Sequence, residues 1–186
     1  MFRYILFNKP DGVVSTFTDD ANHRTLKEFI PIPGVYTAGR LDLDSEGLLL
    51  LTNDGAMIHR LTDPGQAHTK TYLVLVEGVV TDERLSRLRR GVAVNGYTTR
   101  PAVVDRADPP AGLRPKNRPV TPHGPTAWLK ITLTEGKKHE IRHMTAAVGL
   151  PTLRIIRIAI GSIEIGDLKP GDWRDLTSEE RSLLVR

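Results

Sequence analysis

The stretch Gly39-Arg40-Leu41-Asp42-Leu43-Asp44-Ser45-Glu46-Gly47-Leu48-Leu49-Leu50-Leu51-Thr52-Asn53 indicates both the fold and the site of this chain. An acidic turn carrying Asp42, Asp44 and Glu46 leads directly into four consecutive leucines, which must be buried. Asn53-Asp54-Gly55 then ends the apolar run, so the leucines are predicted to form a short core strand followed by a turn. The carboxylates would lie at the exposed end of an anchored element, where an active site holds a reactive group.

Two other interpretations of the acidic turn are possible. Asp, Ser and Gly are common loop residues, so the turn can be purely structural. The alternating acids, with Gly47 in sixth position, also resemble a calcium-binding EF-hand loop. That loop needs a bidentate Glu in its twelfth position, where this chain has Asn53, and it needs flanking helices. The sequence therefore argues against calcium.

Composition predicts an ordinary globular protein. A chain of 186 residues forms one domain or two tightly joined subdomains, and the polar segment at 63–69 is the expected junction. No stretch approaches the ~20 apolar residues of a membrane span, and the N-terminal residues do not have the pattern of a signal peptide. The chain contains no Cys, so disulfide and thiol chemistry are excluded. We expect a cytoplasmic protein without a membrane partner.

The formal net charge of +4 is unevenly distributed. Between residues 113 and 143 there are seven basic side chains and two Glu. The basic residues are Arg114, Lys116, Arg118, Lys130, Lys137, Lys138 and Arg142. Such a segment can be a plain solvated surface, but it also favours a polyanionic partner, because Lys and Arg release counterions from phosphates.

Strands and helices are predicted to alternate along the chain. The expected strands are 3–7, 13–17, 35–38, 48–52, 71–76, 129–133 and 153–160. The expected helices are 26–30, 54–61, 82–90, 139–148 and a final helix opened by a capping box of Thr177 and Glu180. Asn95-Gly96 predicts a hairpin turn. Hairpin signals outnumber long crossovers, so we expect an α+β fold with a mixed, largely antiparallel sheet and flanking helices.

The acidic motif and four further segments resemble one enzyme family. Gly-Arg-Leu-Asp-x-Asp-Ser-Glu-Gly-Leu-Leu is similar to the signature of the RsuA-type pseudouridine synthases. The further segments are Phe7 to Gly12, Lys70 to Val74, Glu135 to Met144 and Pro151 to Arg157. Their order and spacing agree with those of the family over roughly nine tenths of the chain. The pattern most resembles the large-subunit pseudouridine synthase E group, whose members lack the N-terminal S4 RNA-binding domain, and we expect none here.

The resemblance implies a fold, a reaction and three catalytic residues. The fold would be a single catalytic domain over 1–186, with two subdomains around a cleft. The reaction isomerises a uridine of large-subunit (23S) ribosomal RNA to pseudouridine without a cofactor or metal. Asp42 matches the nucleophile, Tyr72 the active-site tyrosine and Arg142 the basic residue that favours the ionised carboxylate. Attack on C6 of the base and attack on C1′ of the sugar both remain open.

The resemblance also suggests how RNA is bound. Lys9, Arg40, Lys137 and Lys138 are candidates for contacts with the RNA backbone, which position RNA without reading its sequence. The target nucleotide should be flipped out, because stacking hides its glycosidic bond. We expect a monomer. Glu140 stands where the family more usually has Gln, so contacts made by that amide would differ here.

Two rival functions remain at this stage. His139-Glu140-Ile141-Arg142-His143 satisfies the zinc hydrolase pattern His-Glu-x-x-His, in which two His on one helix face bind the metal. Neighbouring cations and the lack of a compelling third ligand argue against zinc. The other rival is a basic RNA-binding or ribosome-assembly protein that has lost catalysis.

Overall fold

The computed structural model describes residues 1–66, 68–116 and 120–184. Arg118 of the basic segment and Ala67 of the predicted junction lie outside these ranges. The strands are β1 (Tyr4–Lys9), β2 (Tyr36–Thr37), β3 (Glu46–Thr52), β4 (Lys70–Glu77), β5 (Ala93–Val94), β6 (Tyr97–Thr98), β7 (Val103–Ala107), β8 (Thr126–Leu133), β9 (Thr152–Ile160), β10 (Ile163–Glu164) and β11 (Trp173–Asp175). The helices are α1 (Gly55–Thr62), α2 (Asp82–Arg90), α3 (Glu140–Ala147) and α4 (Ser178–Leu184). The predicted α+β fold class is confirmed.

The chain divides into two compact units. Unit 1 comprises Met1–His68 and Arg157–Arg186, and unit 2 comprises Thr69–Ile156. The first boundary falls within the segment 63–69. The second falls inside strand β9, where the strand predicted over 153–160 gave no sign of a boundary. The prediction that the two subdomains form one catalytic domain around a cleft stays a prediction.

Unit 1 is built on the strand order β11-β1-β3-β9. Strand β1 pairs antiparallel with β3, from Tyr4 opposite Thr52 to Lys9 opposite Gly47. The four leucines of β3 are at most 1% exposed because both faces of this sheet are covered. Leu48 and Leu50 face one apolar cluster together with residues of α1 and α4, and Leu49 and Leu51 face a second one. Successive side chains of a strand point to opposite faces, so a continuous leucine run fills both clusters.

Unit 2 carries the strand order β4-β8-β7, with antiparallel pairing throughout. The hairpin of β5 and β6 turns at Asn95 and Gly96, whose φ angles of 46° and 82° fit the predicted tight turn. Helix α2 starts at the Thr81 cap, whose hydroxyl accepts the Arg84 N–H, and ends at Gly91. A Cβ on Gly91 would lie 2.3 Å from the carbonyl oxygen of Thr99, so only glycine fits there.

One predicted strand is wrong and several short ones were missed. Residues 13–17 form no strand; Val13 makes only an isolated parallel bridge with Arg24. The reason is that Ser15 is turned inward, where its hydroxyl bonds the backbone of Leu41. Strands β7, β10 and β11 were not predicted. The capping box of α4 is confirmed, because Thr177 and Glu180 each accept the other's backbone N–H.

Candidate active site

The backbone on both sides of Asp42 is fixed by hydrogen bonds within unit 1. Before it, the Ser15 hydroxyl donates to the Leu41 carbonyl at 2.7 Å and accepts the Leu41 N–H at 3.1 Å. After it, the Leu43 carbonyl accepts the Gly12 N–H at 2.9 Å. The Asp42 carbonyl closes the turn by accepting the Ser45 N–H at 3.1 Å. The half-buried Asp42 side chain therefore projects from a loop with little freedom to move.

Lys9 is part of this loop. Its side chain is fully buried, and its ammonium donates to the carbonyls of Val13 at 2.7 Å, Pro10 at 3.1 Å and Leu43 at 3.3 Å. The predicted contact of Lys9 with the RNA backbone needs an exposed ammonium and does not fit this burial. Burial lowers the pKa of Lys9 to about 8, against the opposing charges of Asp11, Glu46, Asp44 and Asp42. Lys9 thus stabilises the segment that carries the acids.

The start of strand β3 is held by an arginine that the sequence did not single out. Arg157 on β9 is buried, and its Nε donates to the Leu48 carbonyl at 2.7 Å. The backbones are so close that a Cβ on Gly47, whose φ is 100°, would lie 2.2 Å from the Arg157 carbonyl oxygen. The Gly47 of the motif is therefore required by packing. The signals available from the sequence were the glycine itself, which is the residue that favours positive φ, and the apolar neighbours of Arg157.

Arg40 and Asp44 are the exposed residues of the acidic loop. Arg40 has the exposure that a contact with an RNA phosphate requires, and that contact stays a prediction. Glu46, by contrast, is buried at the first position of β3. The three carboxylates of the motif therefore have different surroundings: Asp42 is half-buried, Asp44 is exposed and Glu46 is buried.

Tyr72 and Arg142 lie in unit 2. Tyr72 stands on β4 opposite Ile131 of β8, and it is 8% exposed, so only a small part of its ring is open to a ligand. Arg142 lies in the first turn of α3 and is half-buried. Asp42 belongs to unit 1, and its predicted pairing with Arg142 stays a prediction. The structure thus places the predicted site residues in two groups, one in each unit.

The two lysines of the third motif differ from each other. Lys138 is exposed, as a backbone contact requires. The Lys137 ammonium lies 3.3 Å from the centre of the Tyr97 ring and 3.9 Å from Glu135 Oε2, so it already has a cation–π partner and a carboxylate partner. Lys137 therefore links the loop before α3 to the β5–β6 hairpin.

The His-Glu-x-x-His segment does not have the geometry of a zinc site. His139 precedes α3 in a left-handed conformation with a φ of 56°, whereas His143 lies within the helix. His143 Nδ1 is 3.0 Å from the amide nitrogen of Asn95, and the two imidazole rings stack with centroids 6.2 Å apart. In the part of the chain that the structure describes, no group of three or more His, Cys, Asp or Glu side chains could hold a metal ion. Nor does any described helix have both the length and the apolar character to span a membrane.

Comparison with known proteins identifies the family. The sequence profile described as RNA pseudouridylate synthase matches residues 3–147. The ribosomal large subunit pseudouridine synthase E of Xanthomonas axonopodis pv. citri is 53% identical over 170 residues, which is 89% of this chain and 90% of that protein. The synthase E of Vibrio parahaemolyticus is 45% identical over 94% of this chain and 74% of its own length. A crystal structure of a pseudouridylate synthase superposes with a TM-score of 0.83 at 29% identity, covering 99% of this chain and 74% of that one. The chain therefore belongs to the RNA pseudouridylate synthase family, in its RsuA-like branch.

Proposed function

We propose that this protein isomerises a uridine of large-subunit (23S) ribosomal RNA to pseudouridine, with Asp42 as the nucleophile and without a cofactor. The observation that supports Asp42 as the nucleophile is the loop geometry, because hydrogen bonds from Ser15 and Gly12 fix the peptide groups on either side of Asp42. The choice of substrate is supported by the relatives named synthase E. We also propose that the protein is cytoplasmic, where the proposed ribosomal RNA substrate is found, and that it is a monomer.

The reaction breaks the N1–C1′ bond of the uridine and forms a C1′–C5 bond. The base loses the proton on C5 and gains one on N1, so the product is an isomer of the substrate and no electrons enter or leave. A carboxylate that is already positioned lowers the barrier, because the entropy of orienting it is lost on folding and not in the reaction. Asp42 can act as the nucleophile by attacking C6 of the base or C1′ of the sugar, and in either adduct a carboxylate oxygen of Asp42 forms the new bond.

The remaining roles follow the family resemblance. Arg142 is assigned the part of favouring the ionised Asp42, and Tyr72 that of holding the flipped base and assisting removal of the C5 proton. Arg40 and Lys138, both exposed, are assigned to phosphates of the RNA backbone. Flipping a stacked uridine costs a few kcal/mol, which these contacts must offset.

The test is a pair of substitutions in one loop. Asp42→Asn removes the nucleophile, and Asp44→Asn removes the same charge from an exposed position two residues away. Each variant is incubated with large-subunit ribosomal RNA that carries tritium at C5 of uridine, and tritium release is measured. Carbodiimide adduct mapping then locates the product. We expect no release with Asp42→Asn and near wild-type release with Asp44→Asn. Substantial turnover by Asp42→Asn would exclude the nucleophile role, and wild-type protein without activity on this RNA would exclude the proposed substrate.

A further inference from the structure

A buried carboxyl group closes the turn that leads into α3. Glu140 is 3% exposed, and its Oε2 accepts the Lys137 N–H at 2.9 Å. In return, the Glu140 N–H donates to the Lys137 carbonyl at 3.2 Å. The second oxygen, Oε1, is buried and meets no donor among the residues that the structure describes. An ionised carboxylate with one oxygen buried and unsatisfied is costly, so the protonated form of this carboxyl group is favoured.

The side chain next to Glu140 is another carboxyl group. The Glu135 side chain is 11% exposed, and its Oε1 accepts the Arg100 N–H at 2.5 Å. The carboxyl groups of Glu135 and Glu140 lie within hydrogen-bonding reach of each other. Carboxylate oxygens only accept hydrogen bonds, so two carboxyl groups can bond only if one of them carries a proton.

Charged and titratable groups from several described elements face this pair. From the preceding loop, Lys137 faces it, but that ammonium is shared with the Tyr97 ring and Glu135. From β6 and the residues after it, the Tyr97 hydroxyl and Arg100 face it, and Arg100 contributes both its backbone N–H and the positive charge of its side chain. On α3 itself His143 is engaged by Asn95. The positive charges of Lys137 and Arg100 both favour the ionised form of Glu135, so Glu140 is the member of the pair expected to keep the proton.

We propose that Glu140 keeps a proton up to about neutral pH and shares it with Glu135 in a hydrogen bond, and that Glu140 is thereby the positioning residue for the first turn of α3 and for Arg142 on that turn. In the protonated form Glu140 does what a Gln side chain would do at this place, with O–H replacing amide N–H. The hydrogen bonds then run without a break from the Arg100 backbone through Glu135 and Glu140 to Lys137. The role of Arg142 in catalysis rests on the proposed function, whereas the shared proton does not.

The direction of the pKa values agrees with this arrangement. Burial, followed by the hydrogen bond and the negative charge of Glu135, raises the pKa of Glu140 to about 7. The pKa of Glu135 is held below its usual range, against burial, by the hydrogen bonds that Glu135 accepts from Glu140 and from the Arg100 N–H. The folded protein therefore binds the Glu140 proton more tightly than the unfolded chain. The stabilisation is complete below about pH 4.5 and is lost as the pH rises through about 7.

The first experiment measures the proton directly. Wild-type protein labelled with carbon-13 at the Glu carboxyl carbons is titrated by NMR between pH 5 and 9, and Glu140→Gln assigns the resonance. We expect the Glu140 carboxyl to titrate near neutrality. In Glu135→Gln the new amide can donate to an ionised Glu140, so the midpoint should fall by at least one pH unit. A wild-type Glu140 that is already ionised at pH 6 would overturn the proposal, whatever the enzyme's activity.

The second experiment tests the positioning role. If only the protonated form aligns Arg142, kcat should fall about eightfold between pH 6.5 and 8, since the protonated fraction of a group with a pKa of about 7 falls from about 0.76 to about 0.09. Glu140→Gln should remove this fall and keep most of the activity at pH 6.5, whereas Glu140→Ala should lose activity at both pH values. If Glu140→Gln keeps the wild-type fall, Glu140 does not position Arg142. If wild-type protein shows no synthase activity, the proposed function fails, and the NMR result still decides the shared proton.

Discussion

The buried Lys9 ammonium makes the stability of this protein depend on pH in the alkaline range. Its pKa is lowered from 10.5 to about 8 in the folded protein because the side chain is fully buried. In the unfolded chain the ordinary value is restored, so the unfolded state binds more protons between about pH 8 and 10.5. The free energy of unfolding therefore rises with pH in this window, and this gain is lost again as the pH falls through about 8.

The size of the effect follows from the shift. A lowering from 10.5 to about 8 corresponds to at most about 3 kcal/mol, at 1.36 kcal/mol per pH unit. Between pH 7 and 9.5 the expected part of this gain is about 2 kcal/mol, because the folded form has lost nearly all of the proton by pH 9.5 and the unfolded form has not. Lys9→Met retains the apolar stem and removes the titrating group. The difference in free energy of unfolding, wild type minus variant, should thus increase by about 2 kcal/mol from pH 7 to pH 9.5.

The assay is urea unfolding of wild type and Lys9→Met at several pH values between 7 and 9.5. Lys130→Met is the matched control, because Lys130 is an exposed lysine on strand β8, and its curve should run parallel to that of wild type. Lys9→Met should also lower kcat, since the Val13 and Pro10 carbonyls lose the donor that holds the segment next to Asp42. A constant difference across the whole pH range, within about 0.5 kcal/mol, would refute the burial of a titrating ammonium.

Three further substitutions test the packing around the site. Gly47→Ala should lower the free energy of unfolding in urea by at least about 3 kcal/mol, because the new Cβ would lie 2.2 Å from a backbone oxygen at a φ of 100°. The control Gly34→Ala also has a positive φ, of 75°, but lies in open space and should cost only about 1 kcal/mol. Equal costs for the two variants would contradict the clash. Ser15→Ala leaves both backbone groups of Leu41 without their partner and should cost about 2 kcal/mol while lowering kcat more than it raises KM; unchanged kinetics would show that this clamp does not position Asp42. Glu180→Gln breaks a two-bond ion pair with the partly exposed Arg174 and should cost about 0.5–1 kcal/mol at pH 7. Because the pKa of Glu180 is lowered by Arg174, this difference should vanish as the pH falls below about 4.5, and a difference that persists at pH 3 would contradict the ion pair.

The sequence predicted the elements whose local signals agree with their packing. The leucine run of β3, the bounds of helix α2, the Asn95-Gly96 turn and the capping box of α4 all formed as expected. Each of these depends on residues close together in the chain, which is why a pattern of a few residues was sufficient.

The errors have a common physical cause, which is contact between residues distant in the sequence. Val13 to Phe17 has the composition of a strand, but Ser15 bonds to Leu41, and no local pattern reports that partner. Lys9 was a candidate for contact with the RNA backbone, which needs an exposed ammonium, yet three backbone carbonyls surround that ammonium. Likewise, β11 is only three residues long and exists because it pairs with β1.

The discontinuity of unit 1 has a consequence for its synthesis in the cell. Strand β1 pairs with β11, which is made more than 160 residues later, whereas all of unit 2 is one uninterrupted segment. Translation at ~5–20 residues per second leaves a delay of many seconds during which the apolar strands at the start of the nascent chain lack their last partner. Unit 2 can complete its own contacts within that interval. We therefore expect chains that end at Ile156, once released from the ribosome, to resist proteolysis from Thr69 onward and to be cut readily within the first 68 residues.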